Sequence, residues 1–177
     1  MKSKSPSPMT HPSLLASALA IAGAPAASLA DCPATWPQAI QGTYVLQEWH
    51  ARGEVLRSPA VEGRFTLQDR QVITVLMDNA RADEHVTRAQ FGEFRTEGCR
   101  FAYRYTRALT VNETSQGVTT STALPWEGMR EFEVSGDGAV ILMRSSDGPR
   151  EFRFDADELR YSEKGALLRV WRKARTP

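Results

Sequence analysis

From Gly42 to Lys173 apolar and polar positions alternate with a period of two, in runs separated by Gly, Asp and Asn. That is the pattern of antiparallel strands, each with one face in a core and the other in water, joined by tight turns. The first run spans Gly42 to Arg52 and ends at Gly53-Glu54; two more follow, around Gly63 to Gln68 and Gln71 to Met77. Between Asp78 and Arg88 the chain is polar throughout, which predicts a loop or a short helix. Phe91 to Arg95 reads as a short strand. In Arg100 to Arg107 aromatic and mostly basic residues alternate cleanly, so Phe101, Tyr103 and Tyr105 share one face. Val118–Leu124, Met129–Val134, Ala139–Arg144, Glu151–Phe154, Leu159–Ser162 and Leu167–Lys173 complete the series. Gly136-Asp137-Gly138, Ser146-Asp147-Gly148-Pro149 and Lys164-Gly165 supply residues that suit hairpin turns.

About ten strands in sequential hairpins leave two unpaired edges, and closing the meander on itself removes both. The expected fold is therefore all-β, an antiparallel up-and-down barrel of about 8–10 strands, with an open two-sheet sandwich as the alternative. A barrel of this size can hold one small ligand.

Residues 1–30 belong to a different class. Lys2 and Lys4 precede the apolar run Leu14–Ala22, and small residues end at Ser28-Leu29-Ala30. This order is that of a cleavable secretory signal, with cleavage after Ala30 and a periplasmic or secreted destination. The apolar run, broken by Gly23 and Pro25, is too short for the ~20 residues of a membrane-spanning helix. Asp31 directly before Cys32 does not fit a lipoprotein signal, so a soluble product is expected. Residues 31–177 are then expected to form a single barrel domain. Cys32 and Cys99 would meet an oxidising compartment together, and a structural disulfide between them is expected, worth roughly 4 kcal/mol in the chain-entropy treatment.

The chain carries 22 Lys+Arg against 21 Asp+Glu. Losing Lys2 and Lys4 on cleavage leaves it close to neutral, which gives no reason to expect a nucleic-acid partner. The remaining basic residues are almost all arginines, spaced singly, and read as outward-facing positions.

Gly42-Thr43-Tyr44, at the start of the first strand, resembles the Gly-x-Trp opening of lipocalins and other calycins, with Tyr in place of Trp. Glu62-Gly63-Arg64-Phe65, Phe91-Gly92-Glu93-Phe94, Glu131-Phe132-Glu133-Val134 and Leu168-Arg169-Val170-Trp171-Arg172 fit bacterial lipocalin-like domains. Together these segments cover most of residues 40–173. The resemblance implies that Tyr44 packs at a closed end of the barrel beside Arg169 or Arg172. No C-terminal helix accompanies it here, and the expected disulfide ties the N-terminal leader instead of a C-terminal tail.

An inward-facing set of Phe65, Leu67, Phe101, Tyr103, Tyr105, Phe132, Val134, Phe152, Phe154, Leu159, Tyr161, Leu168 and Val170 would make an aromatic interior with a few hydroxyls. That is the lining a small hydrophobic ligand needs, with Phe65, Tyr103, Tyr105, Phe132, Phe152, Phe154 and Tyr161 as its candidate contacts. Trp126, beside Pro125 in a turn, could cap the mouth, or with Trp36 mark a surface for an envelope protein partner. Catalytic chemistry is sparse. Glu48 and His50 are placed on the face of Tyr44 and Leu46, and would form a proton-transfer pair if the barrel worked as an isomerase or cyclase. Asp78, Asp83, Glu84 and His85 cluster without metal-ligand spacing, so neither a metal nor a cofactor is expected.

Overall fold

The structure, a computed structural model, describes residues 32–175. The proposed signal sequence and its cleavage point lie outside the described residues. A four-residue helix, α1 (Trp36–Ala39), is followed by β1 (Gly42–Ala51), β2 (Glu54–Leu56), β3 (Val61–Gln68), β4 (Gln71–Arg81), β5 (Glu84–Glu97) and β6 (Arg100–Thr114). Then come β7 (Gly117–Ala123), β8 (Arg130–Gly136), β9 (Val140–Ser145), β10 (Arg150–Asp155), β11 (Glu158–Glu163) and β12 (Ala166–Lys173). All pairings between them are antiparallel. Pairing of β12 with β1 closes ten of these strands into a barrel, which rules out the open sandwich. The other two, β2 and β7, add to β1 and β6 without joining the ring.

Register determines what points inward. Phe101 and Phe132 are paired across β6 and β8, Phe154 and Leu159 across β10 and β11, and Leu159 and Trp171 across β11 and β12. These side chains, with Tyr44, Phe65, Leu67, Val72, Met143 and Phe152, form one continuous buried core. The interior is stacked with aromatic rings. Phe152 is central, with centroids 5.2 Å from Phe132, 5.0 Å from Tyr161 and 6.3 Å from Phe65. Each such pair adds ~0.5–1.5 kcal/mol beyond its area burial.

One end of the barrel is plugged. The leader before β1 folds α1 across the opening. Trp36 is 1% exposed and Ile40 is fully buried. The Trp36 indole donates to the Gly98 carbonyl at 3.0 Å, and the Tyr44 hydroxyl donates to the Ile40 carbonyl at 2.9 Å. The disulfide between Cys32 and Cys99 pins the leader to the turn between β5 and β6, with the two Cα atoms 5.6 Å apart. The cation beside Tyr44 is neither Arg169 nor Arg172. Lys173 takes that place, its Nζ 5.7 Å from the Tyr44 ring and donating to the Ala39 carbonyl at 3.0 Å.

The polar stretch 78–88 is a strand hairpin, contrary to the expected loop or helix. β5 and β6 run 14 and 15 residues, which at ~3.4 Å per residue far exceeds their shorter neighbours. Their outer halves, with the end of β4 and all of β7, extend beyond the ring of paired strands into water. Both faces there are solvated, so the sequence shows no alternation. Two of the acids in this stretch are held in ion pairs, Asp78 with Arg52 and Glu84 with Arg81, and both pairs line one small surface pocket with Arg88.

Candidate ligand site at the open end of the barrel

The end opposite the plug opens into a cavity of about 170 Å³. Its floor is the aromatic core: Phe65, Phe152, Leu159 and Trp171. Around the opening stand the hydroxyls of Thr74, Tyr103, Tyr105 and Tyr161, the Gln90 amide, the Trp126 indole, and three arginines, Arg88, Arg130 and Arg169. A groove of about 390 Å³ on the outer wall, lined by Val45, Arg64, Val75 and Met77 among others, is larger. Ser58, Glu62 and Arg64 stand beside its apolar residues, but it carries none of the aromatic rings that line the barrel cavity.

Five of the seven expected contacts, Phe65, Tyr103, Tyr105, Phe152 and Tyr161, line the cavity. Phe132 and Phe154 pack in the core and do not reach it. In β12 the expected phase is reversed. Leu168 and Val170 leave the cavity to Arg169 and Trp171, because Arg169 is registered opposite Tyr161 and Trp171 opposite Leu159. The arginines expected on the surface are the residues that sequence reasoning missed here. Two-residue spacing carries their signal: Arg130 has the parity of Phe132 and Val134, and Arg88 that of Gln90 and Phe94.

A bulge explains the fate of the proposed catalytic pair. The register between β1 and β12 slips between Leu46 and Glu48, so Trp49 faces Arg169 across the strands. Trp49 and Leu56 then pack on the core, while Glu48 and His50 turn to the opposite face of β1. There the Glu48 carboxylate is 3.0 Å from His50 Nε2 and 2.5 Å from Arg57. Bonds from Arg57 and then His50 hold the Glu48 carboxyl below its ordinary range. The pair is in place, but neither residue lines the cavity.

A second bulge shapes the mouth. Gly92 pairs with Tyr105 but Phe91 with Arg107, leaving Thr106 unmatched in β6. Beyond the bulge the inward parity passes to Ala108, opposite Gln90, and the rim turns polar. Gly92 is required for this approach, since a Cβ there would lie 1.9 Å from the Arg104 carbonyl oxygen. Trp126, in the connection between β7 and β8, donates its backbone amide to the Tyr105 carbonyl and packs edge-on against the Tyr105 ring at 4.9 Å. The Arg130 guanidinium stacks over the Trp126 ring at 3.6 Å.

The cavity lining itself is cationic, with Glu163 just outside it, accepting from the Tyr161 hydroxyl at 3.5 Å. None of the lining residues is acidic, and among the described residues none of the three arginines lies in an ion pair. Arg169 Nε is sequestered from solvent without a hydrogen-bond partner. Desolvation pulls the Arg169 pKa down, although a guanidinium remains charged at neutral pH. Cation–π contact with Trp49 at 5.0 Å and Tyr161 at 5.9 Å returns only ~0.5–2 kcal/mol. Desolvating an ion costs several kcal/mol, so these contacts do not offset the burial. Burial likewise raises Tyr103, Tyr105 and Tyr161 above the ordinary phenol value, and the adjacent cations oppose it without reversing it. The Tyr105 hydroxyl shares a hydrogen bond with Thr74 Oγ1 at 2.5 Å.

No protein-family model matches the chain, and no curated protein or solved structure is significantly similar to it.

Proposed function

We propose that this is an exported, lipocalin-like barrel that binds a small, mainly apolar molecule in its open end. The observation carrying this reading is the cavity itself, an aromatic floor under a few convergent hydroxyl, amide and guanidinium groups. Burial of apolar surface drives such binding and the sparse polar groups orient the ligand. Plugging one end with α1 leaves a single entrance, as a binding cup requires. Export is supported by the signal-like residues 1–30 and by the disulfide, a bond favoured in oxidising compartments and rare in reducing ones.

The test is fluorescence titration of the residue 31–177 protein with N-phenylnaphthylamine and with naphthoate. Saturable one-to-one binding of at least one probe, abolished by Gln90→Trp, which fills the cavity from its rim, is the expected result. Failure of both probes to bind, or binding unaffected by Gln90→Trp in a variant with unchanged circular dichroism, refutes it.

A further inference from the structure

We propose that the ligand of this cavity is a compact aromatic carboxylate, its ring on the aromatic floor and its carboxylate held by the arginines at the mouth. The inference rests on the binding role proposed above and specifies the chemistry of that site.

Charge is the first argument. Arginines on the outer surface, such as Arg52, Arg104 and Arg153, lie within 4.0 Å of a carboxylate. Arg64, Arg70, Arg100, Arg107 and Arg172 also lack such a partner among the described residues, but they are scattered, whereas the unpaired Arg88, Arg130 and Arg169 come from three separate strands, β5, β8 and β12, to one cavity. Convergence of three unpaired cations on one small volume is repulsive unless an anion occupies it. Arg169 makes the point most strongly, because its buried Nε has no acceptor in the protein. A carboxylate would accept from it, and a guanidinium fork matches a carboxylate in two parallel hydrogen bonds. The Tyr161 ring lies beside the same guanidinium, its centroid 5.9 Å away, while the Tyr161 hydroxyl donates to Glu163 Oε2 at 3.5 Å.

Shape supplies the rest. A volume of about 170 Å³ falls below the ~300–1,000 Å³ of pockets that take drug-sized ligands, so the ligand is compact. Its walls are rings, Phe65, Phe152, Trp126 and Trp171 among them, which favour a flat π-face over a flexible chain. Arg130, already stacked on Trp126, stands where it can meet a charged group entering over that ring.

The experiment compares naphthoate with its neutral methyl ester and with inorganic phosphate on the unaltered protein, then repeats naphthoate on Arg88→Gln and Arg130→Gln. A charge-assisted bond in a desolvated site corresponds to about tenfold or more in affinity. Naphthoate should therefore bind at least about tenfold more tightly than the ester, and each variant should erode that preference. Ester binding as tight as naphthoate, or variants that leave naphthoate unaffected, overturns the anion assignment while leaving the binding role intact. Phosphate competing on equal terms with naphthoate overturns the aromatic body. If no probe binds at all, the binding role itself has failed.

Discussion

Replacing Cys32 and Cys99 together by Ala removes the cross-link between the plug and the turn joining β5 and β6. The bridge spans 67 positions, and the chain-entropy treatment assigns such a loop about 4 kcal/mol, through constraint of the unfolded chain. The native contacts of the plug do not depend on it. Trp36 and Ile40 stay buried, the Trp36 indole still meets Gly98 one residue from Cys99, and Lys173 still caps Ala39. With urea m-values of ~1–3 kcal/mol/M, a loss of this size lowers the unfolding midpoint by roughly 1.3–4 M. The assay is urea unfolding followed by tryptophan fluorescence and far-ultraviolet circular dichroism on oxidised protein, reduced protein and the double variant. The two altered forms should unfold in a single transition, with m raised because the unfolded chain without the bridge exposes more surface. A biphasic transition, with fluorescence moving before circular dichroism, would show that the plug detaches first and that the bridge acts on the native state.

Alkali supplies a second test. The phenols of Tyr44, Tyr103, Tyr105 and Tyr161 are raised above their ordinary value of 10.0, with desolvation the leading cause in each. A raised folded pKa leaves stability intact below pH 10.0. Above that it falls by up to about 1.4 kcal/mol per pH unit for each phenol, as the unfolded chain ionises first. Phenolate absorbance should thus appear only together with unfolding, and its appearance in folded protein near pH 10.0 would contradict the burial. Gly92→Ala drives a Cβ into the Arg104 backbone and should cost about 3 kcal/mol in urea unfolding, the upper range for overpacking. A loss within error would mean that the bulge can relax. Glu48→Gln and His50→Ala disrupt a partly exposed outer pair and should cost at most about 1 kcal/mol. Both should leave naphthoate titrations unchanged, and a loss of binding would place that pair in the site after all.

What the sequence made legible follows from the physics of alternation. Period-two patterning is strong wherever one strand face is buried and the other wet, so the ring of strands and the inward Phe101, Tyr103 and Tyr105 could be read directly. It vanishes where both faces are wet, which is why 78–88 passed for a loop although it is a hairpin. It also breaks at bulges. Parity counted from Tyr44 puts Glu48 and His50 inside, and the slip after Leu46 reverses them. The arginines failed for another reason. Their residue type points to the surface, whereas their position points inward, since Arg130 and Arg169 share parity with Phe132 and Trp171. An arginine on the inward parity of an otherwise apolar strand is the signal to look for, because its burial is costly without a counter-charge. The plug left no trace in periodicity, since four residues of helix are too few to show one.

Whether a compact carboxylate sits in the open end of the barrel can be read from nuclear magnetic resonance of the arginine Nε–Hε groups during titration with naphthoate. Saturating one-to-one shifts are expected at Arg88, Arg130 and Arg169. Unmoved signals at these three, or shifts confined to ion-paired surface arginines such as Arg52 and Arg57, would contradict that placement.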